Sequence, residues 1–165
     1  VDDIKCVNVG GGLGVPHIES DKALDLDAWA SVLKRQFGHR DLIIEIEPGD
    51  YIVKDAGLLL LGKTYSERKN GVDFVGVDAG FNIAPEPAYY ALPFQCVPLS
   101  WSGEACSLMN VVGNINEALD VWYPNASLPD LSQQDYLALI NAGGYSSSMA
   151  SNHCMRGQFK EFLLV

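Results

Sequence analysis

Val7-Asn8-Val9-Gly10-Gly11-Gly12-Leu13-Gly14-Val15 runs a short β-forming segment straight into a glycine cluster. Glycine has no side chain, so backbone N–H groups in such a run can approach a ligand closely, as they do where proteins cradle a phosphate. Glycine runs also make plain turns, and the run by itself does not separate the two readings. Its setting favours the cradle. Ile4 to Val9 reads as a buried strand, which puts the glycines at a strand's C-terminal end, where α/β folds bind their ligands.

Working outward, Leu26, Trp29, Ala30, Leu33 and Phe37 recur at helical spacing, with Asp25 as N-cap, Lys34 and Arg35 in the last turn and Gly38 as the stop. This predicts a crossover helix. Leu42 to Glu47 predicts the next strand, in which alternation puts Ile44 and Ile46 on one face and Glu45 and Glu47 on the other. Two carboxylates on one face, followed at once by Pro48-Gly49, are unusual for a buried parallel strand. Tyr51 to Leu61 reads either as a second helix or as a helix passing into a strand.

Two consecutive βα units with functional residues at the same end are a piece of a (β/α)8 barrel. A closed barrel takes about 200 to 250 residues, so the stretch 1–61 can supply only its last part. From Val72 the texture changes. Val72 to Val77, the proline-rich Ala84 to Pro98, Leu108 to Val112 and Tyr136 to Ile140 read as short strands broken by Gly, Pro and Asn. The expected fold class is therefore α/β plus all-β: the last βα units of a (β/α)8 barrel over 1–61, then a C-terminal β-barrel or β-sandwich domain over 62–165, with the boundary near Gly62. No internal repeat or low-complexity linker interrupts it.

The 165 residues are 48% hydrophobic, enough for a sizeable core, and carry a formal net charge of -10. That charge argues against a nucleic-acid partner, which needs clustered Lys and Arg. Cys6, Cys96, Cys106 and Cys154 show no Cys-x-x-Cys spacing, and His153-Cys154, as neighbours, make a poor ligand pair, so no metal is expected. Reduced thiols and a cytoplasmic location are the expectation, with no membrane span and Asn125-Ala126-Ser127 an unused sequon. The start at Val1 and the stop within the apolar run Phe162 to Val165 read as cut ends of a longer protein.

Five motifs carry a resemblance: Val-Asn-Val-Gly-Gly-Gly-Leu-Gly at 7–14, Glu-Pro-Gly at 47–49, Val-Asp-Ala-Gly-Phe-Asn at 77–82, Gly-Asn-Ile-Asn-Glu-Ala-Leu-Asp at 113–120, and Ala-Gly-Gly-Tyr-Ser-Ser-Ser-Met-Ala-Ser-Asn at 142–152. In that order they resemble the C-terminal half of the fold-type III pyridoxal-phosphate decarboxylases, the diaminopimelate, ornithine and arginine decarboxylases, and are most similar to the diaminopimelate branch. The resemblance implies a homodimer with active sites at the interface, an amino-acid substrate, and an N-terminal barrel half of the same protein. It puts the cofactor's Schiff-base lysine and a ring-stacking histidine in that N-terminal half, so this chain alone is not expected to form the covalent link. Carried over by position, Gly10, Gly11 and Gly12 would hold the phosphate of pyridoxal 5'-phosphate through backbone N–H groups. Glu47 would pair with the pyridine nitrogen and Tyr145 would reach the phosphate. Asn116 and Glu117 would stand with Glu47 in the catalytic set, and Asp50, Glu86, Tyr90 and Glu117 would face substrate.

Three positions depart from the family's pattern. Arginine ordinarily follows Glu-Pro-Gly, and Asp50 stands here. A second arginine, ahead of the tyrosine matched by Tyr90, is Glu86. The cysteine that returns a proton to the product carbon across the dimer interface is Asn116, which cannot act as a general acid. The two charge reversals predict a pocket that repels the distal carboxylate of diaminopimelate and suits a distal amine or neutral arm, as in an ornithine-like, lysine-like or amide-extended amino acid. The alternatives are a non-catalytic or regulatory homologue that keeps cofactor binding or dimerisation, and, less favoured because Glu47 is acidic, an alanine-racemase-like enzyme of the same barrel type.

Overall fold

The computed structural model describes residues 3–100, 106–157 and 159–165. Strand β1 (Cys6–Asn8) pairs in parallel with β2 (Ile43–Glu45), Val7 opposite Ile44. Helix α1 (Leu26–Phe37) joins them as the apolar spacing requires. The Asp25 carboxylate accepts from the Ala28 N–H at 2.8 Å, and the Gly38 N–H closes the last turn on the Lys34 carbonyl. The expectation of a buried strand over Ile4 to Val9 is corrected. β1 is three residues long, Val7 alone is half-buried in it, and no residue of α1 is buried. A parallel pair needs layers on both faces, and among the described residues this one lacks them.

The segment after Pro48-Gly49 is a short helix, α2 (Asp50–Val53), then one 3-10 turn over 54–56, then β3 (Leu58–Lys69). Of the two readings of Tyr51 to Leu61, the helix passing into a strand is the one the structure takes. Gly62 lies inside β3. β3 is the seam of a six-stranded sheet. Its first half, Leu58 to Gly62, pairs antiparallel with β8 (Tyr136–Ile140), and its second half, Lys63 to Lys69, pairs antiparallel with β4 (Val72–Val77) across a bulge at Lys63/Tyr65.

β4 pairs in parallel with β6 (Ser107–Val112), β6 antiparallel with β7 (Val121–Leu128), and β8 antiparallel with β5 (Cys96–Pro98). The spatial order is β5-β8-β3-β4-β6-β7, and the two edge strands come back toward each other, so the sheet rolls nearly shut. Leu61, Val75, Val77, Phe94, Val111, Trp122, Leu128, Leu137 and Leu139 fill its interior. The proline-rich segment Ala84 to Pro98 is corrected from a strand to helix α3 (Glu86–Tyr90) followed by β5. Pro85 and Pro87 sit where a helix begins, where a missing N–H costs nothing. Among the described residues no helix is long and apolar enough to cross a membrane.

Candidate functional site

The first cluster forms at the C-terminal ends of β1 and β2. Parallel pairing sets Asn8 opposite Glu45 and carries Glu47 past the strand end beside the glycine turn. The Asn8 amide Nδ2 donates to Glu47 Oε1 at 2.6 Å, and Asn8 Oδ1 accepts from the Gly10 N–H at 2.7 Å. The Glu47 N–H in turn donates to the Gly10 carbonyl at 2.8 Å. Gly10 and Gly12 have φ of 73° and 80°, and a Cβ on Gly11 would run into the Glu47 carbonyl, so the run is a tight turn fitted to the Glu47 backbone. Of the three glycine N–H groups expected to face a phosphate, that of Gly10 donates to Asn8 here. Those of Gly11 and Gly12 meet no acceptor among the described residues.

Tyr145 reaches the same end of the molecule through a docked turn. The Ala142 and Gly143 N–H groups donate to the carbonyls of Gly57 and Lys54, both at 2.9 Å, and a Cβ on Gly57 would lie only 2.5 Å from Gly143 Cα. This close approach of two glycine backbones brings Tyr145, with φ of 54°, against Gly49, where an added Cβ would be 2.5 Å from the phenol oxygen. Tyr145 remains 46% exposed.

Glu86, expected to face substrate, is instead 2% exposed and forms an ion pair with Lys54, which is itself wholly buried. Lys54 lies 3.5 Å from Asp50 Oδ1, one helical turn earlier, and 5.5 Å from the centre of the Phe94 ring. Asp50 Oδ1 is within ion-pair range of Lys54 but makes no hydrogen bond, and the Asp50 side chain is 22% exposed. Burial explains the arrangement. A lysine without water is tolerable only with a carboxylate against it, and α3 supplies one. Tyr90, in the last turn of α3, is exposed.

The third cluster lies on the 113–120 turn. Asp120, 4% exposed, accepts from the N–H of Phe81 at 2.8 Å and of Ile115 at 2.7 Å, with its carboxylate wedged against Gly80 and Gly113. Burial holds its carboxyl above the ordinary 3.8, the two N–H groups pull it back, and Glu117 adds to the rise. Asp120 thereby clamps the turn that presents Asn116 and Glu117, both exposed. His153 Nε2 lies 2.5 Å from Glu117 Oε1, and the His153 ring packs on Phe81 at 5.0 Å. Phe81 also meets Tyr89 of α3 edge-on at 5.8 Å, so α3 adjoins two clusters, through Glu86 and through Tyr89.

Sequence reasoning missed Asn8, Lys54 and His153 as members of these clusters. Asn8 had a legible signal, as the one polar residue among three valine and asparagine positions leading into the glycines. Lys54 follows Asp50 by one helical turn, but its partner Glu86 is 32 positions away.

A family model described as "Pyridoxal-dependent decarboxylase, C-terminal sheet domain" matches residues 37–143. The chain is 34% identical to diaminopimelate decarboxylase of Methanothermobacter thermautotrophicus, over 98% of this chain and 40% of that protein. It is 34% identical to diaminopimelate decarboxylase of Helicobacter pylori over the same shares. A crystal structure of the Helicobacter pylori enzyme complexed with L-lysine superposes with a TM-score of 0.83 at 33% identity, covering 93% of this chain and 38% of that one. The chain thus spans about 40% of the length of the curated relatives it matches. With the rolled six-stranded sheet and the strand-end glycine turn both in place, the chain belongs to the pyridoxal-dependent decarboxylase family and carries its C-terminal sheet domain.

Proposed function

We propose that the whole protein is a pyridoxal-phosphate-dependent amino-acid decarboxylase, a homodimer in which this chain supplies one wall of the cofactor site and the sheet domain. The division between the two parts is drawn at Gly57, ahead of β3, rather than at Gly62. The observation that carries the reading is the Asn8–Glu47 bond beside the open N–H groups of Gly11 and Gly12. A carboxylate held in one orientation fits a protonated pyridine nitrogen, and two unspent backbone donors at a strand end fit a phosphate. When bound, the cofactor supplies an electron sink for the electron pair left by loss of carbon dioxide.

The chain's own residues bind and orient. Asn8 fixes Glu47 so that it accepts from the ring nitrogen, Gly11 and Gly12 donate to the phosphate, and the Tyr145 hydroxyl donates beside them. Asp50 is left to meet the substrate's far end, since Glu86 is closed off on Lys54. The repulsion expected from two carboxylates falls to one, with a lysine beside it, so discrimination against a distal carboxylate is smaller than the sequence implies. A distal ammonium or neutral arm remains the preferred class. A second reading, a relative that binds cofactor without turnover, is favoured by Asn116, which has no acidic proton to give.

The test is carbon dioxide release by the full-length protein from lysine, ornithine and diaminopimelate. Lysine or ornithine is expected to have the higher kcat/KM, and Glu47→Ala is expected to lower kcat at least about a hundredfold. Asp50→Arg is expected to shift preference toward diaminopimelate by about tenfold, while Glu86→Arg sets a second cation on buried Lys54 and destabilises the fold. Cofactor binding with no carbon dioxide released from any of the three, or from an amide-extended derivative of lysine, overturns the catalytic reading in favour of the second.

A further inference from the structure

Glu117, His153 and Cys154 bring one carboxylate oxygen, one imidazole nitrogen and one thiol sulfur within 4.8 Å of one another. Their positions in sequence gave no hint of this. Adjacent side chains diverge on ordinary strand or helical backbone, which is why His153-Cys154 reads as a poor ligand pair. Here Cys154 and Met155 both take left-handed backbone, φ of 53° and 51°, and the turn that results folds the thiol back beside its neighbour's ring. Glu117 arrives from a separate turn, fixed by the Asp120 carboxylate on the Ile115 N–H and by the Asp120 N–H on the Glu117 carbonyl at 3.0 Å. Phe81 packs on the His153 ring and orients it.

We propose that these three residues form a mononuclear zinc site with an open fourth position. The donor set selects the ion. Thiolate and imidazole exclude magnesium and calcium, which take oxygen ligands, and a carboxylate disfavours monovalent copper. Sulfur at about 2.3 Å and nitrogen or oxygen at about 2.0–2.2 Å from a tetrahedral zinc put neighbouring ligand atoms roughly 3.3–3.7 Å apart. Glu117 Oε1 and His153 Nε2 lie 2.5 Å apart in a direct hydrogen bond, so zinc between them opens this pair by roughly 1 Å while the thiol closes in. Two ligands from the 153–154 turn and one from the 113–120 turn cross-link segments that the Phe81 ring and this hydrogen bond now join. The site stands whether or not the protein is a decarboxylase, because its readout is metal uptake.

The experiment uses the full-length protein, stripped of metal with a chelator and titrated with zinc alone. One zinc per chain is expected. Zinc is expected to slow alkylation of Cys154, which is exposed here, at least about tenfold, as located by peptide mass spectrometry. Cobalt in place of zinc is expected to give a thiolate-to-metal charge-transfer band that Cys154→Ser abolishes. Cys154→Ser and His153→Gln are each expected to weaken zinc binding by more than about a hundredfold, beyond what loss of a supporting outer residue costs. Equal alkylation of Cys154 with and without zinc overturns the proposal, and this arm needs no variant to fold. So does zinc binding that survives all three of Glu117→Gln, His153→Gln and Cys154→Ser.

Discussion

Lys54 is the residue whose environment departs furthest from what its chemistry prefers: wholly buried, against Glu86, with Asp50 and the Phe94 ring beside it. Removing one partner of a buried pair leaves the other charge stranded. Lys54→Met is expected to cost about 3–5 kcal/mol in chemical denaturation, and Lys54→Met with Glu86→Leu to recover most of it. A double variant as unstable as the single would mean that the pair is not the origin of the cost. Asp120 gives a second test. Asparagine has one accepting oxygen where the carboxylate serves two N–H groups, so Asp120→Asn is expected to lose about 1–3 kcal/mol. Because burial raises the Asp120 carboxyl above 3.8, the folded state holds its proton to higher pH than the unfolded chain. Its contribution is therefore full below 3.8 and is lost as pH rises through the folded value. That falling limb is expected to be absent from the Asp120→Asn stability profile. Neither residue could be read from sequence in this role, because both depend on contacts across more than thirty positions. Glu47 was legible, since local alternation and Pro48-Gly49 already set it at a strand end.

At the scale of elements, legibility follows locality. The cap, spacing and stop of α1 are all written within fourteen residues, and β8 was read to its ends. β7 was not read. Pro124 and Asn125 look like breakers, yet the strand absorbs them in an irregular stretch where Asn125 takes φ of 55° and its N–H bonds to Asn110 Oδ1 at 2.9 Å. From Thr64 onward β3 is exposed on both faces and shows no alternation, though Asn70-Gly71, at φ of 52° and 83°, carries the signature of a two-residue hairpin turn. The turn between β6 and β7 yields a prediction. A Cβ on Gly113 would strike the Asp120 carboxylate, so Gly113→Ala is expected to destabilise by about 1–3 kcal/mol and to release the turn bearing Glu117. Loss of the His153–Glu117 contact, read from imidazole chemical shifts, checks the second part.

Over the whole molecule, burial is uneven. The rolled sheet has a filled interior, while Leu26, Val32, Ile43, Ile46, Ile52 and Val53 stand between 40% and 64% exposed on the β1–α1–β2–α2 side. A side this apolar calls for a cover. Backbone amides of α1 are expected to exchange with solvent much faster in this 165-residue chain than in the full-length protein, while those of β3 and β8 stay comparably protected in both. Hydrogen exchange with mass spectrometry compares the two directly, and equal protection of α1 would show that the helix needs no further layer. Composition made the existence of a core legible, but which side of the molecule it fills depends on how six strands roll together.

The seam strand has a consequence for how the chain is made. Lys63 to Lys69 of β3 meet their partner, β4, within a few residues of leaving the ribosome, but Leu58 to Gly62 must wait for β8 at 136–140. At about 5–20 residues per second, the ~75 residues between them take roughly 4–15 s to synthesise. For that interval Leu58, Leu59, Leu60 and Leu61 present an unpaired leucine edge to every neighbouring nascent chain. Synonymous codon changes that slow translation across 63–135 should therefore raise the share of insoluble product without altering a single residue of the finished protein.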